Sequence, residues 1–487
     1  MHFSQAPGHA LCYPLRLNLV TECHLENIIH MSTLDITNPW SGQLHAQVAR
    51  SSTSQIIDAM AAARRAQPLW AARSLDERIG ALERFGAALE AQAPRLAAEL
   101  TAQSGKPIRQ ALSEVRATVG RVAFFTGHVA HELAPRQVAG GATAERVTFD
   151  PLGVIANISA WNYPYFVGAN VFVPALLAGN AVLYKPSEIT ALTGASIARL
   201  LHEAGVPKDI FVCIQGDGAE AQTLLAQRPD GVFFTGSHAT GVAIATQVAA
   251  HLGVLQLELG GKDPIYVHSD VDVAAVASAV ADGAFYNAGQ SCCAVERIYV
   301  HQDIHSPFVE HFTKAAKALT LGDPALDTTD MGPLARRAQL QVLQDQLKDA
   351  QDKGAKVVCG GGLWDKHEGF WQPTVVTQVD HSMSLMKDES FGPIIGIMGV
   401  DGPTQARALM ADTAYGLTAG VYSRSQDVAT DILSGLSVGS AYWNCCDRVS
   451  PALPWSGRGH SGVGSTLGLE GIRAFVQPRA WHLRAGQ

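Results

Sequence analysis

The first patterned part of the chain repeats apolar residues at helical spacing. From Ser54 to about Glu132, apolar and alanine positions recur every three to four residues, as in DERIGALERFGAALEAQAPRLAAEL. This period matches one face of an α-helix. The pattern predicts a run of amphipathic helices, each with one buried face.

From Gly153 the pattern changes to short β-rich runs that are separated by helical stretches. The strand candidates are the apolar runs at 153–161, 180–187, 210–216 and 231–237. Strands that alternate with helices are typical of a parallel sheet covered by helices. We therefore expect a first α/β domain in this part of the chain.

A second α/β stretch starts near Gly261. Its strand candidates lie at 263–269, 296–302, 355–361 and 393–400, and a helical run leads to two adjacent cysteines. This arrangement predicts a second α/β domain.

Two segments fit neither domain, and we expect them to form a small β oligomerisation arm. They are residues 134–151, in which RVTFDP alternates like an exposed strand, and the C-terminal residues 462–487. The predicted fold class is thus α/β, with two α/β domains plus this arm.

Residues 1–30 have no periodic pattern, and they lack the basic start and apolar run of a signal peptide. Patterned sequence begins just after Met31, so this segment is either an extension outside the natural protein or a flexible arm. The most apolar long stretch, Val167 to Tyr184, contains Asn170 and Pro174 and falls short of a membrane span. It predicts a helix followed by a strand.

Composition narrows the class of protein further. A chain of 487 residues exceeds the length of a single core, so two or more domains are expected. The 36 basic and 44 acidic side chains give a net charge of −8, with no long basic block for a nucleic-acid partner. The eight cysteines form no CxxC motif, which predicts reduced thiols in a cytoplasmic protein and no zinc site.

Two segments carry candidate reactive groups. In NAGQSCC, residues 287–293, a turn of small residues presents two thiols, each of which is either a nucleophile or a buried apolar side chain. In LELGGKDP, residues 257–264, Glu258 has apolar neighbours. It is either a general base whose pKa is raised by burial or a carboxylate in an ion pair.

Asn162 lies in ISAWNYPYF, just after a predicted strand. Asparagines in such turns are often structural. A rigidly held amide can also donate to a developing alkoxide, which contributes about 3–4 kcal/mol in known cases. Both interpretations stay open on the residues alone.

Two further segments place polar or glycine residues directly after a strand, where nucleotides bind in open α/β sheets. In FFTGSHATG, the spacing of Gly236, Ser237 and Gly241 departs from GxGxxG, yet Gly236 and Ser237 could open a helix that binds a pyrophosphate. In VLYKPSE, Lys185 and Glu188 could bind ribose hydroxyls, with Glu188 disfavouring a 2′-phosphate. The alternative is a set of solvated strand-end residues.

Taken together, these motifs resemble the aldehyde dehydrogenase superfamily from about Leu34 to the C-terminal end. The ordered landmarks are WNYP, KPSE, FTGS, ELGGK, GQSC, ESFGP, YGL and Asn444. By this resemblance the α/β domains are Rossmann-like. An NAD-binding domain is expected over 31–133 and 152–260, and a catalytic domain over 261–440.

The resemblance also implies roles for individual residues. Cys292 would attack the aldehyde, Asn162 and the Cys292 amide would form the oxyanion hole, and Glu258 would activate water to hydrolyse the thioester. The hydrolytic branch is implied because the CoA-acylating branch typically lacks this glutamate. A homodimer or homotetramer is expected. The expected cofactor is NAD, with NADP possible, and the cofactor contacts are Lys185, Ser187, Glu188, Gly236, Ser237, Gly241, Glu389 and Phe391.

The resemblance further implies a small-molecule aldehyde substrate and a pocket to hold it. Arg448 either captures a substrate carboxylate, as in a semialdehyde, or is a solvated or internally paired arginine. Lys262 is expected in a structural ion pair. The chain departs from the family pattern at Ala160, which could loosen the Asn162 loop, and at His460, which should alter local packing. The expected pocket residues are Tyr163, Val167, Asn170, Phe285, Ser291, Cys293, Arg448 and Val449.

Overall fold

The computed structural model describes residues 32–139 and 143–484. The predicted helical region is present as three helices, because Ser52 and Ser74 each start a new helix through a capping box. A strand pair precedes them. These elements are β1 (Thr33–Thr37), β2 (Leu44–Ala49), α1 (Thr53–Ala71), α2 (Leu75–Ser104) and α3 (Ile108–Glu132).

The next part of the chain alternates strands and helices, as its pattern predicts. The apolar stretch from Val167 to Tyr184 contains the end of a helix and most of the following strand. The elements are β3 (Arg136–Ala139), β4 (Thr143–Pro151), β5 (Val154–Ile158), α4 (Pro164–Leu177), β6 (Ala181–Lys185), α5 (Ala191–Glu203), β7 (Phe211–Cys213), α6 (Gly218–Ala226), β8 (Gly231–Thr235), α7 (His238–Ala249) and β9 (Val254–Glu258).

The second α/β part contains the four predicted strands and several that the pattern did not reveal. Among the latter are a short hairpin and two strands that follow helices near the C-terminal end. The elements are β10 (Asp263–Val267), α8 (Val273–Phe285), β11 (Val295–His301), α9 (His305–Ala318), α10 (Ala338–Asp352), β12 (Lys356–Cys359), β13 (Leu363–Trp364), β14 (His367–Trp371), β15 (Thr374–Thr377), β16 (Ile394–Val400), α11 (Pro403–Ala411), β17 (Thr418–Tyr422), α12 (Gln426–Ser434), β18 (Ser440–Trp443), β19 (Gly462–Val463), α13 (Gly468–Arg473) and β20 (Val476–Arg484).

The first large sheet has the order β19-β9-β8-β5-β6-β7. All its neighbours run parallel except the pair of β19 and β9. Every residue of β5 and β6 is buried, as expected for central strands covered on both faces. The chain adds β6 and β7 on one side of β5 and then β8 and β9 on the other. This reversal opens a crevice at the carboxyl ends of β5 and β8.

The second large sheet has the order β12-β15-β16-β11-β10-β17-β18, and only β12 runs antiparallel to its neighbour. Its order also reverses, here at β10. The presence of two helix-covered, mainly parallel sheets confirms the predicted fold class. The predicted domain boundaries stay a prediction.

A separate antiparallel sheet of β20, β4 and β3 corresponds to the predicted arm. The arm boundary at residue 462 needs correction. Gly462 and Val463 pair with the end of β9, and α13 packs against α3 and α4. A two-residue strand and a six-residue helix are too short for a periodicity argument. The C-terminal arm strand starts at Val476.

No helix within residues 32–139 and 143–484 has both the length and the apolarity needed to cross a membrane. The N-terminal residues 1–30, predicted to be an extension or an arm, lie outside the described residues.

Candidate active site

The loop that carries the paired cysteines has an unusual backbone. Asn287 and Ala288 adopt positive φ values of 52° and 56°, which are costly for residues with a side chain. The Asn287 amide donates to the Gln290 carbonyl at 3.2 Å, and the Gln290 amide donates back to the Asn287 carbonyl at 3.0 Å. Gly289 also has a positive φ, and a Cβ there would lie 2.5 Å from the Gly392 carbonyl oxygen. The loop is therefore tightly fixed.

The two thiols differ in their surroundings. Cys292 is partly exposed and lines a cavity, whereas Cys293 is buried. The Cys293 thiol donates to Asp447 Oδ1 at 3.1 Å, and the Ser291 hydroxyl donates to the same oxygen at 3.1 Å. The hydrogen bond with Cys292, burial and the Asp447 charge raise the pKa of Cys293 well above its usual value. Cys293 is thus favoured as a thiol, and Cys292 is the more accessible of the two sulfurs.

The cavity has a volume of about 440 Å³ and is partly open to solvent. The Phe285 ring lies outside it and packs on Phe312, with ring centroids 5.8 Å apart, so the pocket prediction is wrong for Phe285. The other predicted residues all line it. They are Tyr163, Val167, Asn170, Ser291, Cys293, Arg448 and Val449.

The sequence interpretation missed one wall of this cavity, which is formed by α3. The residues on that wall follow helical spacing, and this polar stripe within an otherwise apolar pattern was the available signal. Charged residues on a helix normally face water, which is why the stripe did not stand out. The α3 residues that form this wall are Gln110, Ser113, Glu114, Ala117 and Arg121.

Asn162 follows β5, and a buried ion pair holds its loop. Lys106 Nζ contacts the Glu114 carboxylate and donates to the Asn162 carbonyl oxygen at 2.6 Å. The other Glu114 oxygen accepts from the Tyr165 amide at 2.9 Å. Among the described residues, Asn162 Oδ1 has no hydrogen-bond partner, although it is buried. These anchors fix the loop despite Ala160.

Glu258 ends β9 with a buried carboxylate. Its Oε1 accepts from the Gln256 amide at 2.8 Å and from the Thr466 hydroxyl at 3.1 Å. Its Oε2 has no partner in the part of the chain that the structure describes. Burial raises the pKa of Glu258 to about 8, against the weaker opposing effect of these hydrogen bonds.

The segment after Glu258 runs against the backbone of the loop that carries Cys292. A Cβ on Gly261 would lie 2.6 Å from the Cys292 carbonyl oxygen. Lys262 donates to Glu296 Oε2 at 2.6 Å, so its prediction as an ion-pair partner is confirmed. Glu296 also accepts from the amides of Ser390 and Phe391. This second buried pair fixes the segment that carries Glu389 and Phe391.

Three predicted cofactor residues lie where α7 starts, at the carboxyl end of β8. Ser237 caps the helix by accepting from the Thr240 amide at 3.4 Å. The Gly236 amide donates to the Glu258 carbonyl at 3.0 Å. A Cβ on Gly241 would lie 2.7 Å from the Leu259 side chain, so the absence of a side chain at Gly241 lets Leu259 pack closely against α7. The arrangement leaves a helix N-terminus at the crevice, which suits a pyrophosphate.

Three more of the predicted cofactor residues lie at the carboxyl end of β6. Lys185 is buried, its Nζ donates to the Pro186 carbonyl at 2.9 Å, and burial lowers its pKa. Ser187 is buried, and its hydroxyl donates to Glu188 Oε2 at 3.2 Å. Glu188 itself is exposed. A polar set at the ends of adjacent parallel strands fits an adenosine ribose.

Glu389 and Phe391 lie on the other side of the Glu258 segment. Glu389 Oε1 accepts from the Gly261 amide at 3.1 Å, and burial together with the Glu296 charge raises its pKa to about 8. The Phe391 ring meets Trp161 edge to face, with centroids 5.6 Å apart. These groups at the crevice therefore fit a dinucleotide.

The two remaining points from the sequence concern His460 and Arg448. The His460 ring stacks on His238 with centroids 3.9 Å apart, beside the start of α7, so it takes part in local packing as expected. Arg448 lines the cavity with an exposed side chain, while its carbonyl accepts from the Tyr442 hydroxyl.

Comparison with known proteins is consistent across families, relatives and structures. The family model described as "Aldehyde dehydrogenase family" matches residues 29–481. The 3,6-anhydro-alpha-L-galactose dehydrogenase of Streptomyces coelicolor is 35% identical, covering 93% of each chain. A putative succinate-semialdehyde dehydrogenase [NADP(+)] of Mycobacterium ulcerans is 34% identical over 95% of this chain and 92% of its own.

Among solved structures, the betaine aldehyde dehydrogenase of Staphylococcus aureus in complex with NAD+ has a TM-score of 0.90. It is 28% identical, covering 93% of this chain and 92% of that chain.

Replacing Glu114 tests the anchor of the Asn162 loop. We expect Glu114→Gln to lower the free energy of unfolding by about 3–5 kcal/mol, because Lys106 would be left buried without its carboxylate. The matched control is Glu203→Gln, which breaks the exposed pair with Arg199 and should change stability little. Urea denaturation measures both. Equal stabilities of the two variants would contradict the anchor.

Replacing Asp447 tests how the two thiols are distinguished. In the native protein, iodoacetamide should label Cys292 well before Cys293, as read by peptide mass spectrometry. Asp447→Ala removes the acceptor and charge that hold Cys293 as a thiol, so Cys293 should label faster. The control is Asp282→Ala, which removes an exposed acid from the same cavity. An unchanged labelling rate at Cys293 in Asp447→Ala would contradict the assignment.

Proposed function

The chain belongs to the aldehyde dehydrogenase family and is an NAD(P)-dependent aldehyde oxidoreductase, and we propose that it releases the acid by hydrolysing a thioester on Cys292. The observation that carries this proposal is the state of Glu258. It is a buried carboxylate with one unpartnered oxygen and a pKa near 8, at the end of a segment that contacts the Cys292 backbone.

The reaction starts with addition of the Cys292 sulfur to the aldehyde carbon. The carbonyl oxygen becomes an alkoxide, which needs hydrogen-bond donors that are already in position. The Asn162 side-chain amide and the Cys292 backbone N–H serve as those donors. The buried Lys106–Glu114 pair holds the Asn162 loop before substrate arrives, so little reorganisation is needed at that moment.

NAD(P), when bound, would supply the hydride acceptor that converts the Cys292 adduct to a thioester. The start of α7 would hold the pyrophosphate, and Glu389 with Phe391 would orient the nicotinamide end. Lys185, Ser187 and Glu188 would hold the adenosine ribose.

Glu258 then acts as the general base. Its unpartnered Oε2 takes a proton from water, the resulting hydroxide attacks the thioester carbon, and the carbon–sulfur bond breaks. The products are the carboxylic acid and the Cys292 thiolate, and loss of the proton from Glu258 to solvent closes the cycle. A base with a pKa near the working pH suits this step, because it is partly ionised and still strong enough to take a proton. The presence of Glu258 supports hydrolysis of the thioester over its transfer to coenzyme A.

We propose NAD as the preferred cofactor. The support is the Glu188 carboxylate at the end of β6, since a negative charge there would repel a 2′-phosphate. A structural neighbour contains NAD+, while one relative is named for NADP(+). Both cofactors are therefore to be compared directly.

A narrower function is the oxidation of a semialdehyde whose carboxylate binds Arg448. The name of the Mycobacterium ulcerans relative favours a semialdehyde, and Arg448 lines the cavity. However, the Arg448 side chain is exposed, and exposed ion pairs contribute little. We therefore keep Arg448 as the second candidate.

For assembly, we propose that the arm sheet joins copies of the chain into a dimer or tetramer. β20 is an edge strand of this sheet, and most of its residues are exposed. An edge strand of nine residues offers unpaired backbone groups to a second copy.

Substituting the proposed base separates the two half-reactions. With NAD and a reactive aldehyde, Glu258→Gln should give a burst of one reduced cofactor per site and then stall as the thioester. The measurements are absorbance of the reduced cofactor and the intact protein mass. In the native protein, thioester hydrolysis should rise about tenfold per pH unit up to a midpoint near 8, because only ionised Glu258 takes the proton.

A control for this experiment uses an activated ester, which acylates Cys292 without cofactor. Hydrolysis of that acyl-enzyme should depend on pH in the native protein and not in Glu258→Gln. Steady turnover by the variant would exclude Glu258 as the base. A burst absent with all aldehydes would exclude Cys292 as the nucleophile.

Replacing Glu188 tests the cofactor preference. Glu188→Gln removes the charge that would repel a 2′-phosphate, so the ratio of kcat/KM for NADP to that for NAD should rise about tenfold. The matched control is Glu203→Gln, which neutralises another exposed acid and should leave this ratio unchanged. An unchanged ratio in Glu188→Gln would contradict the role of Glu188.

A further inference from the structure

Arg121 is a buried arginine in the wall of the substrate cavity. It lies on α3, two helical turns after Glu114, and only 4% of its surface is exposed. Arginines are rarely buried to this degree without a paired anion. Its surroundings therefore need a physical account.

The guanidinium has few partners. Nε donates to Asn170 Oδ1 at 3.0 Å, Nη1 donates to the Ala117 carbonyl at 3.4 Å, and the Phe166 ring centroid lies 3.6 Å from Cζ. In residues 32–139 and 143–484, no carboxylate forms an ion pair with it. The nearest acid in sequence, Glu114, is already paired with Lys106. Of the five N–H groups of an arginine, most remain available here.

This arrangement is expensive for a purely structural role. Burial lowers the pKa of Arg121 to about 10, so the group stays charged at neutral pH. A buried charge without a counter-ion is unfavourable, and contact with an aromatic face offsets only part of that cost. A neutral glutamine could make the bond to Asn170 without it. A purely structural role therefore does not explain why the residue at this position is charged.

We propose that Arg121 binds a carboxylate on the aldehyde substrate, so that the preferred substrates are aldehydes bearing an acid group. This inference rests on the proposed function of Cys292. A guanidinium presents parallel N–H groups that match the two oxygens of a carboxylate. The Arg121 side chain thus selects the end of the substrate that lies opposite the aldehyde group.

The helix gives the distance between the two ends. Glu114 is bonded to the Tyr165 amide beside Asn162, and Arg121 follows it by seven residues on the same helix. At 1.5 Å per residue, their Cα atoms are about 10 Å apart along the axis. The contact with the Ala117 carbonyl brings the guanidinium back by up to one turn. The guanidinium should therefore lie about 5–10 Å from the Glu114 turn along the helix axis.

A hydrogen bond between the guanidinium and the carboxylate takes up about 3 Å of that distance. The remainder corresponds to about two to five bonds between the aldehyde carbon and the carboxylate carbon, at roughly 1.3 Å per bond. Aldehyde acids of four and of six carbons both fit. Arg448 is a poorer site, because its side chain is exposed and it directly follows the acidic Asp447.

The test compares 6-oxohexanoate with its methyl ester, which has the same chain without the charge. The native enzyme should favour the acid, and Arg121→Gln should lower its kcat/KM about 10–100-fold, mainly through KM. The ester should change less than threefold in this variant. The matched control is Arg116→Gln, on the solvent face of the same helix, where both substrates should be unaffected.

Each other outcome has a defined meaning. Equal losses on acid and ester in Arg121→Gln would overturn the proposal and leave a structural role. Loss of acid preference in Arg448→Gln, but not in Arg121→Gln, would place the site at Arg448 and also overturn it. If Arg121→Gln fails to fold, Arg121→Lys keeps the charge and should retain an acid preference that is weaker than native. Failure of both the acid and the ester to react with the native enzyme would instead contradict the proposed function.

A direct binding measurement removes the dependence on turnover. Hexanedioate, which carries no aldehyde, should bind the native enzyme in calorimetry and bind Arg121→Gln at least tenfold more weakly. Equal affinity of native and variant enzyme for hexanedioate would overturn the proposal.

Discussion

The buried ion pair of Lys106 and Glu114 is the interaction on which the site depends. It joins the start of α3 to the loop after β5 and to the first turn of α4, through the Asn162 carbonyl and the Tyr165 amide. Removing two charges from water is costly, and only the complete set of hydrogen bonds compensates for it. The loop can therefore occupy one position, and α3 becomes a wall of the substrate cavity as a result.

A second buried ion pair fixes another part of the site in the same way. Lys262 and Glu296 are buried together, and Glu296 fixes the backbone amides of Ser390 and Phe391. One pair thus orients the group proposed for the oxyanion, and the other orients the residues proposed for the nicotinamide end. Polar networks of this kind stabilise one geometry only when every member is satisfied. Glu258, the carboxylate proposed as the base, is the contrast, since its Oε2 has no partner among the described residues.

Sequence patterns predicted most of the regular structure because each central strand and helix has a strong period. They singled out Glu258 and Asn162 because one ends an apolar strand and the other comes shortly after one. They missed Glu114, Arg121 and Asp447, because a charged residue on an amphipathic helix or in a loop looks solvated until its neighbours are known. Phe285 was misplaced for the opposite reason, since an apolar residue near the nucleophile belongs equally well to the core. The β19 strand was too short to leave a pattern.

Glu258 is the last residue of β9, and Asp263 is the first of β10, so four residues connect the two large sheets at this point. The length of this connection sets how far Glu258, at the end of one sheet, lies from the loop that carries Cys292 beside the other sheet. A chain that inserted or lost a residue here could keep both sheets intact and still misplace the carboxylate. The length of this connection thus bears on the position of the carboxylate as directly as the identity of its residues does.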